Sequence, residues 1–206
     1  MVQKHTVPGL AVVLTLVFFC SLQSLAVAGE FTPAEMKKMG VFLSNFTELG
    51  LYNVDHRDFL DPLHPEMAIR FGIWHNYVNN FKTRITHCKA NCPYGSLLIE
   101  GRYVAESVEK YLGFGLGKHK SVRSDYITAH YDGKSYHFEG ADGEVNPYVR
   151  VREARTASAG VIQVRGELYN PEAPSENMGT FSAEITPATW RGKATWNLLN
   201  LDCQLK

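Results

Sequence analysis

The sequence predicts an α+β fold, with N-terminal helices packed on one face of a curved C-terminal antiparallel β-meander. Three observations predict it. Between Pro33 and Leu112, apolar residues recur at helical spacing in three segments. From about Asp125 to Cys203 they alternate with period two, between turn-forming clusters. The alternating segments have one apolar and one polar face, the pattern of a sheet covered on one side.

Residues 1–28 read as a cleaved secretory signal. Lys4 gives a positive n-region, Leu10 to Cys20 an apolar stretch, and Ala26-Val27-Ala28 a small-residue cleavage site. Removing 28 of 206 residues leaves 178 from Gly29 onward, enough for one α+β domain over 29–206. Lys4 is the one basic residue lost, so the remainder carries a charge near −1 against the full chain's 21 basic and 21 acidic residues. That balance gives no reason to expect nucleic acid as a partner. After cleavage no membrane span is expected. The expected compartment is the periplasm or outside the cell.

The first helix has a capping box, Thr32-x-x-Glu35, with Pro33 in its first turn and Gly50 beyond its end. Met36, Met39, Leu43 and Phe46 form its apolar stripe. Tyr52 to Leu63 reads as irregular and acidic. Its His56-Arg57-Asp58 lacks every companion of a kinase catalytic loop. A second helix opens at Pro65 and runs to about Phe81, with Met67, Phe71, Trp74, Val78 and Phe81 inward. His75, Asn76, Asn79 and Lys82 lie towards its other side.

Cys88 and Cys92 read as a disulfide in an exported chain, leaving Cys203 free. A zinc site from His87, Cys88, Cys92 and Cys203 matches no usual spacing. Ser96 to Glu100 reads as a short strand, and Val104 to Leu112 as a third helix. The Gly113-to-Lys118 run has the wrong spacing for a phosphate loop and follows a helix rather than preceding one.

Asp132-Gly133 predicts a two-residue hairpin loop, both residues at positive φ, pairing Tyr131 with Lys134, Ala129 with Tyr136 and Ile127 with Phe138. His130 and His137 then become diagonal neighbours about 7–8 Å apart on the polar face, with Glu139 continuing the row. Glu139 to Glu144 lacks the EF-hand order and reads as an inter-strand turn. Strands follow over Tyr148–Glu153, Val161–Tyr169, Thr180–Thr186 and Ala194–Leu201, the last closing the sheet.

Phe42-Leu43-Ser44-Asn45-Phe46-Thr47-Glu48-Leu49-Gly50, Arg70-Phe71-Gly72-Ile73-Trp74-His75-Asn76-Tyr77 and Phe138-Glu139-Gly140-Ala141-Asp142-Gly143-Glu144 resemble a family of uncharacterised exported bacterial proteins. The resemblance implies export and a single domain and transfers no catalytic residue. The element order is also similar to the cystatin-like and nuclear-transport-factor-2-like cone folds, which host many functions.

No common hydrolase motif is present, and no cofactor is expected. The expected function is a non-catalytic binding or interaction module for a small molecule or an envelope protein. Its candidate ligand site is Trp74, His75, Tyr77 and Asn79, where the second helix meets the sheet. The alternative is a metal-dependent or hydrolytic enzyme using His130, His137 and Glu139.

Overall fold

The computed structural model describes residues 31–61, 65–79, 81, 83–89, 92–125, 127–140 and 145–206. The signal segment 1–28 and the 141–144 part of the acidic turn lie outside the described residues.

Helix α1 (Pro33–Thr47) starts at the capping box. Thr32 Oγ1 accepts from Glu35 N–H at 3.3 Å, and Glu35 accepts from Thr32 N–H at 2.8 Å. The stretch read as irregular contains two elements, β1 (Asn53–Asp55) and α2 (His56–Leu60). Asp55 caps α2, with Asp58 closing a second capping box. Helix α3 (Glu66–Val78) is followed by β2 (Ile85–His87) and β3 (Leu97–Glu100). Helix α4 (Gly101–Leu112) begins directly after β3, three residues before the expected start at Val104, and stops at left-handed Gly113. The remaining strands are β4 (Val122–Ser124), β5 (Ile127–Tyr131), β6 (Ser135–Phe138), β7 (Tyr148–Thr156), β8 (Ile162–Tyr169), β9 (Asn177–Trp190) and β10 (Lys193–Leu205).

The fold is mixed α+β, with N-terminal helices ahead of a C-terminal strand meander. The strands form two antiparallel sheets rather than one. The larger has the order β1-β10-β9-β8-β7 and the smaller β2-β3-β6-β5-β4. The 127–138 hairpin leaves the meander because β6 pairs with β3. Its apolar face then covers the opposite side of the helices. Strand β10 is internal, since β1 pairs beyond it.

Helices α3 and α4 lie between two apolar clusters. Ala68 and Phe71 of α3, with Val108, Tyr111 and Leu112 of α4, join the core under the large sheet. Ile69, Ile73 and Val104 join Ile99, Tyr136 and Phe138 under the small one. Half-buried Trp74 touches both. Of the expected polar side of α3, His75 and Asn76 are buried, Asn79 is exposed, and Lys82 lies outside the described residues. Asn76 is fully enclosed and donates to Gly72 O at 2.7 Å, Tyr103 O at 3.3 Å and Ser107 Oγ at 2.9 Å. Its Oδ1 accepts from Arg84 at 3.0 Å.

The hairpin register differs from the expected one by two residues. Tyr131 pairs with Tyr136, His130 with His137 and Ala129 with Phe138. Asp132 Oδ1 accepts from the N–H groups of Lys134 and Ser135, at 2.8 and 2.7 Å. That bonding makes Gly133 and Lys134 the central residues, with positive φ at Gly133 (99°) alone. A two-residue shift preserves the faces, so Ile127, Ala129, Tyr136 and Phe138 are buried as expected. Two successive positive φ values occur instead at Ala159-Gly160, at 61° and 76°, and in the two-residue Arg191-Gly192 loop, at 51° and 76°.

Candidate functional site

Strand β7 is an edge of the large sheet, and α1 lies along it. Close approach depends on Gly40, where a Cβ would stand 2.9 Å from the Val149 carbonyl oxygen. One turn on, Ser44 Oγ accepts from Val149 N–H at 2.9 Å and donates to Gly40 O at 2.9 Å. The helix thus satisfies an edge donor that would otherwise invite another strand. Lys37, Val41, Ser44 and Glu48 recur at helical spacing along this seam.

Above the seam the two elements enclose a groove of about 450 Å³. That volume falls within the range of small-molecule sites. Met36, Val41, Val149 and Val151 supply apolar walls, with Tyr148 and Tyr169 beside them. Val41 is 63% exposed, the most exposed large hydrophobic residue among those described.

One end of the groove is polar and structured. Glu48 Oε1 accepts from Asn79 Nδ2 at 2.7 Å, and the Tyr148 hydroxyl is near enough to this carboxylate to act on its charge. Asn79 Nδ2 stands 3.2 Å from His75 Nδ1 and donates to His75 O at 3.0 Å, which fixes the amide. Asn146 Nδ2 donates to Glu48 O at 3.0 Å. Burial raises the Glu48 carboxyl above its ordinary range, and Asn79 and Tyr148 offset part of that. Burial also raises Tyr148, with the Glu48 charge adding to it.

His75 lies behind this end as a core residue. Its ring stacks on Phe71 (5.5 Å, 10°) and meets Tyr111 edge-on at 4.6 Å. Burial, followed by the nearby Lys110 and Arg84 charges, pushes its imidazole down to about 3. Burial and the Glu48 charge push the Tyr111 phenol up to about 12.

The four residues expected to share one surface are divided by α3. His75 packs on Tyr111 of α4, and Asn79 bonds to Glu48 at the end of α1. Trp74 and Tyr77 face the small sheet, each 6.0 Å from the Phe138 ring centroid. Asn79 alone of the four lines the groove. Glu48 and Tyr148 were not singled out from sequence. The available signal was the second stripe on α1, which the stronger apolar stripe obscured.

On the hairpin, His130 and His137 are brought together as direct cross-strand neighbours, with ring centroids 6.2 Å apart. Tyr94 stacks on His130 at 3.8 Å, and Ser121 Oγ is 3.3 Å from its Nδ1. His137 Nε2 contacts Asp132 Oδ2 at 2.8 Å, and its buried Nδ1 has no hydrogen-bond partner among the described residues. Glu139 is not part of this group. Its carboxylate binds Ser96, accepting from N–H at 2.9 Å and Oγ at 2.7 Å. Among the described residues no three His, Cys, Asp or Glu side chains are placed to hold a metal ion.

Cys88 and Cys92 stand at disulfide-bonding distance, and Cys203 is a buried free thiol on β10. No described helix is long and apolar enough to cross a membrane. No protein-family profile matches the chain, and neither a curated protein nor a solved structure matches it.

Proposed function

We propose that this chain is an exported, non-catalytic binding module whose site is the groove between α1 and β7, and that its ligand is a small molecule. The observation that carries this is the groove itself, with an exposed aliphatic wall at one side and a fixed polar end at Glu48, Asn79 and Tyr148. A few placed polar groups in an apolar cleft are what orient a small ligand. Export rests on the character of residues 1–28 and agrees with the Cys88–Cys92 pair.

Titration with a neutral apolar dye, Nile red, tests the groove. The expected result is saturable one-to-one binding that Val41→Glu weakens about tenfold or more, because the new carboxylate loses hydration in an apolar wall. Leu60→Glu, at an exposed site on α2, is expected to leave binding unchanged. Equal loss in both variants, or no binding in the parent, would remove the groove as the site.

A second reading, hydrolysis at the hairpin, rests on the Ser121–His130 contact. It is the weaker of the two, because Asp132 orients His137 and not the imidazole beside the serine. Covalent labelling of Ser121 by a fluorophosphonate would support it, and an unmodified Ser121 would retire it.

A further inference from the structure

We infer that the groove takes a molecule with a single ammonium head group and an apolar body, the head seated at Glu48. This inference rests on the groove being the binding site and adds the chemistry of what enters it.

Three sources of negative potential meet at that end. Helix α1 ends at Thr47 with Glu48 as its cap, and α3 ends at Val78 with Asn79 as its cap. The Asn79–Glu48 hydrogen bond joins the two caps. Each helix C-terminus carries roughly half a negative charge. The Glu48 carboxylate is added where a helix C-terminus would favour a cation. Helix α1 has no basic residue in its last turn. His75 is the basic residue in the last turn of α3, and burial keeps it neutral.

The Arg70 guanidinium donates to Leu49 O at 3.2 Å and offsets part of the charge at the end of α1, but it does not occupy the Glu48 carboxylate. The side-chain donor to Glu48 is a neutral amide, Asn79, and the neighbouring Tyr148 phenol is neutral as well. No lysine or arginine among the described residues forms an ion pair with it. A half-buried carboxylate of this kind gains most from a ligand cation that donates hydrogen bonds to it. The Tyr148 ring adjoins the carboxylate, and aromatic faces also attract cations.

The rest of the groove limits the ligand. Met36, Val41, Val149 and Val151 call for a hydrocarbon body. At the far end stands Lys37, eleven residues from Glu48 on α1 and so about 16 Å away along the axis. Arg150 also lines the groove and is held over the Tyr169 ring at 4.4 Å, with Pro174 O accepting from it at 2.8 Å. A second cation on the ligand would be carried towards these positive groups. A monoamine is therefore favoured over a diamine.

The test is calorimetric titration of the protein spanning residues 29–206 with hexylammonium, hexanol, hexanoate and 1,6-diaminohexane, with no dye present. Hexylammonium is expected to bind about tenfold or more tightly than hexanol, which matches it in body but not in charge. Hexanoate is expected to be weakest, and the diamine weaker than the monoamine. In Glu48→Gln the amine and the alcohol should become equivalent, and Asn79→Ala should narrow the gap. Equal affinity for amine and alcohol in the parent, or a preference retained in Glu48→Gln, would overturn the inference. Loss of Nile red binding in Val41→Glu with no ammonium preference would leave the groove standing and remove the head group alone.

Discussion

His75 makes the native state sensitive to mild acid, with a sign and size that follow from its surroundings. Its imidazole is 3% exposed, sandwiched against Phe71 and Tyr111, with the Lys110 and Arg84 charges nearby. In the folded chain its pKa is about 3, against an ordinary value of 6.5. Above pH 6.5 the ring is neutral in both states and contributes no pH dependence. Below 6.5 the unfolded chain takes up a proton that the native state refuses, so stability falls as pH falls. The slope approaches about 1.4 kcal/mol per pH unit, and the loss between pH 7 and pH 5 comes to about 2 kcal/mol. His119 is also lowered by burial and adds a loss of the same sign. Urea denaturation of the parent and of His75→Phe at pH 7, 6 and 5 separates the two. Phenylalanine keeps the ring contacts and cannot titrate. The parent should lose about 2 kcal/mol more than the variant over this range. Parallel pH profiles would show that His75 ionises in the native state and would refute the reasoning.

The buried amide of Asn76 and the cysteines give two further predictions. Asn76→Leu removes the partner of Arg84 and of Ser107 Oγ inside the α3–α4 contact. It should cost about 3 kcal/mol in a urea melt, and a loss under 1 would contradict the enclosed network. The Cys88–Cys92 loop is short, so replacing both cysteines by serine should cost about 2 kcal/mol. Thiol counting should find Cys203 unreactive in the native state, because burial pushes its thiol up to about 12.

The long elements were legible because their periodicity is strong. The α1 capping box, the apolar stripes of α1 and α4 and the buried faces of β8 and β9 stand where residue spacing put them. The α3 stripe fails at its end, where the helix stops at Val78 and both Val78 and Phe81 are exposed. The short elements were not legible. Strand β1 has three residues, too few for alternation to register, and its identity depends on a partner almost 150 residues away. The division into two sheets was likewise hidden. It depends on β6 choosing β3, and nothing local in Ser135–Phe138 distinguishes that from pairing within the meander. The hairpin histidines were correctly placed on one face, but the Asp132 side chain reset the turn and made them direct neighbours. Helix α3 misled in a different way. His75 and Asn76 read as a solvated face, yet a second layer of helix and Tyr111 covers them. Glu48 and Tyr148 lie 100 residues apart, so only the packing of α1 on β7 makes them one site.

The most direct test of the central claim is amide chemical-shift mapping of the protein during titration with hexylammonium. The groove account predicts saturable shifts at Val41, Asn45, Glu48, Asn79, Tyr148 and Val149, which in Glu48→Gln need about tenfold or more amine to saturate. Shifts confined to the strands bearing His130 and His137, or none at saturating amine, would contradict it.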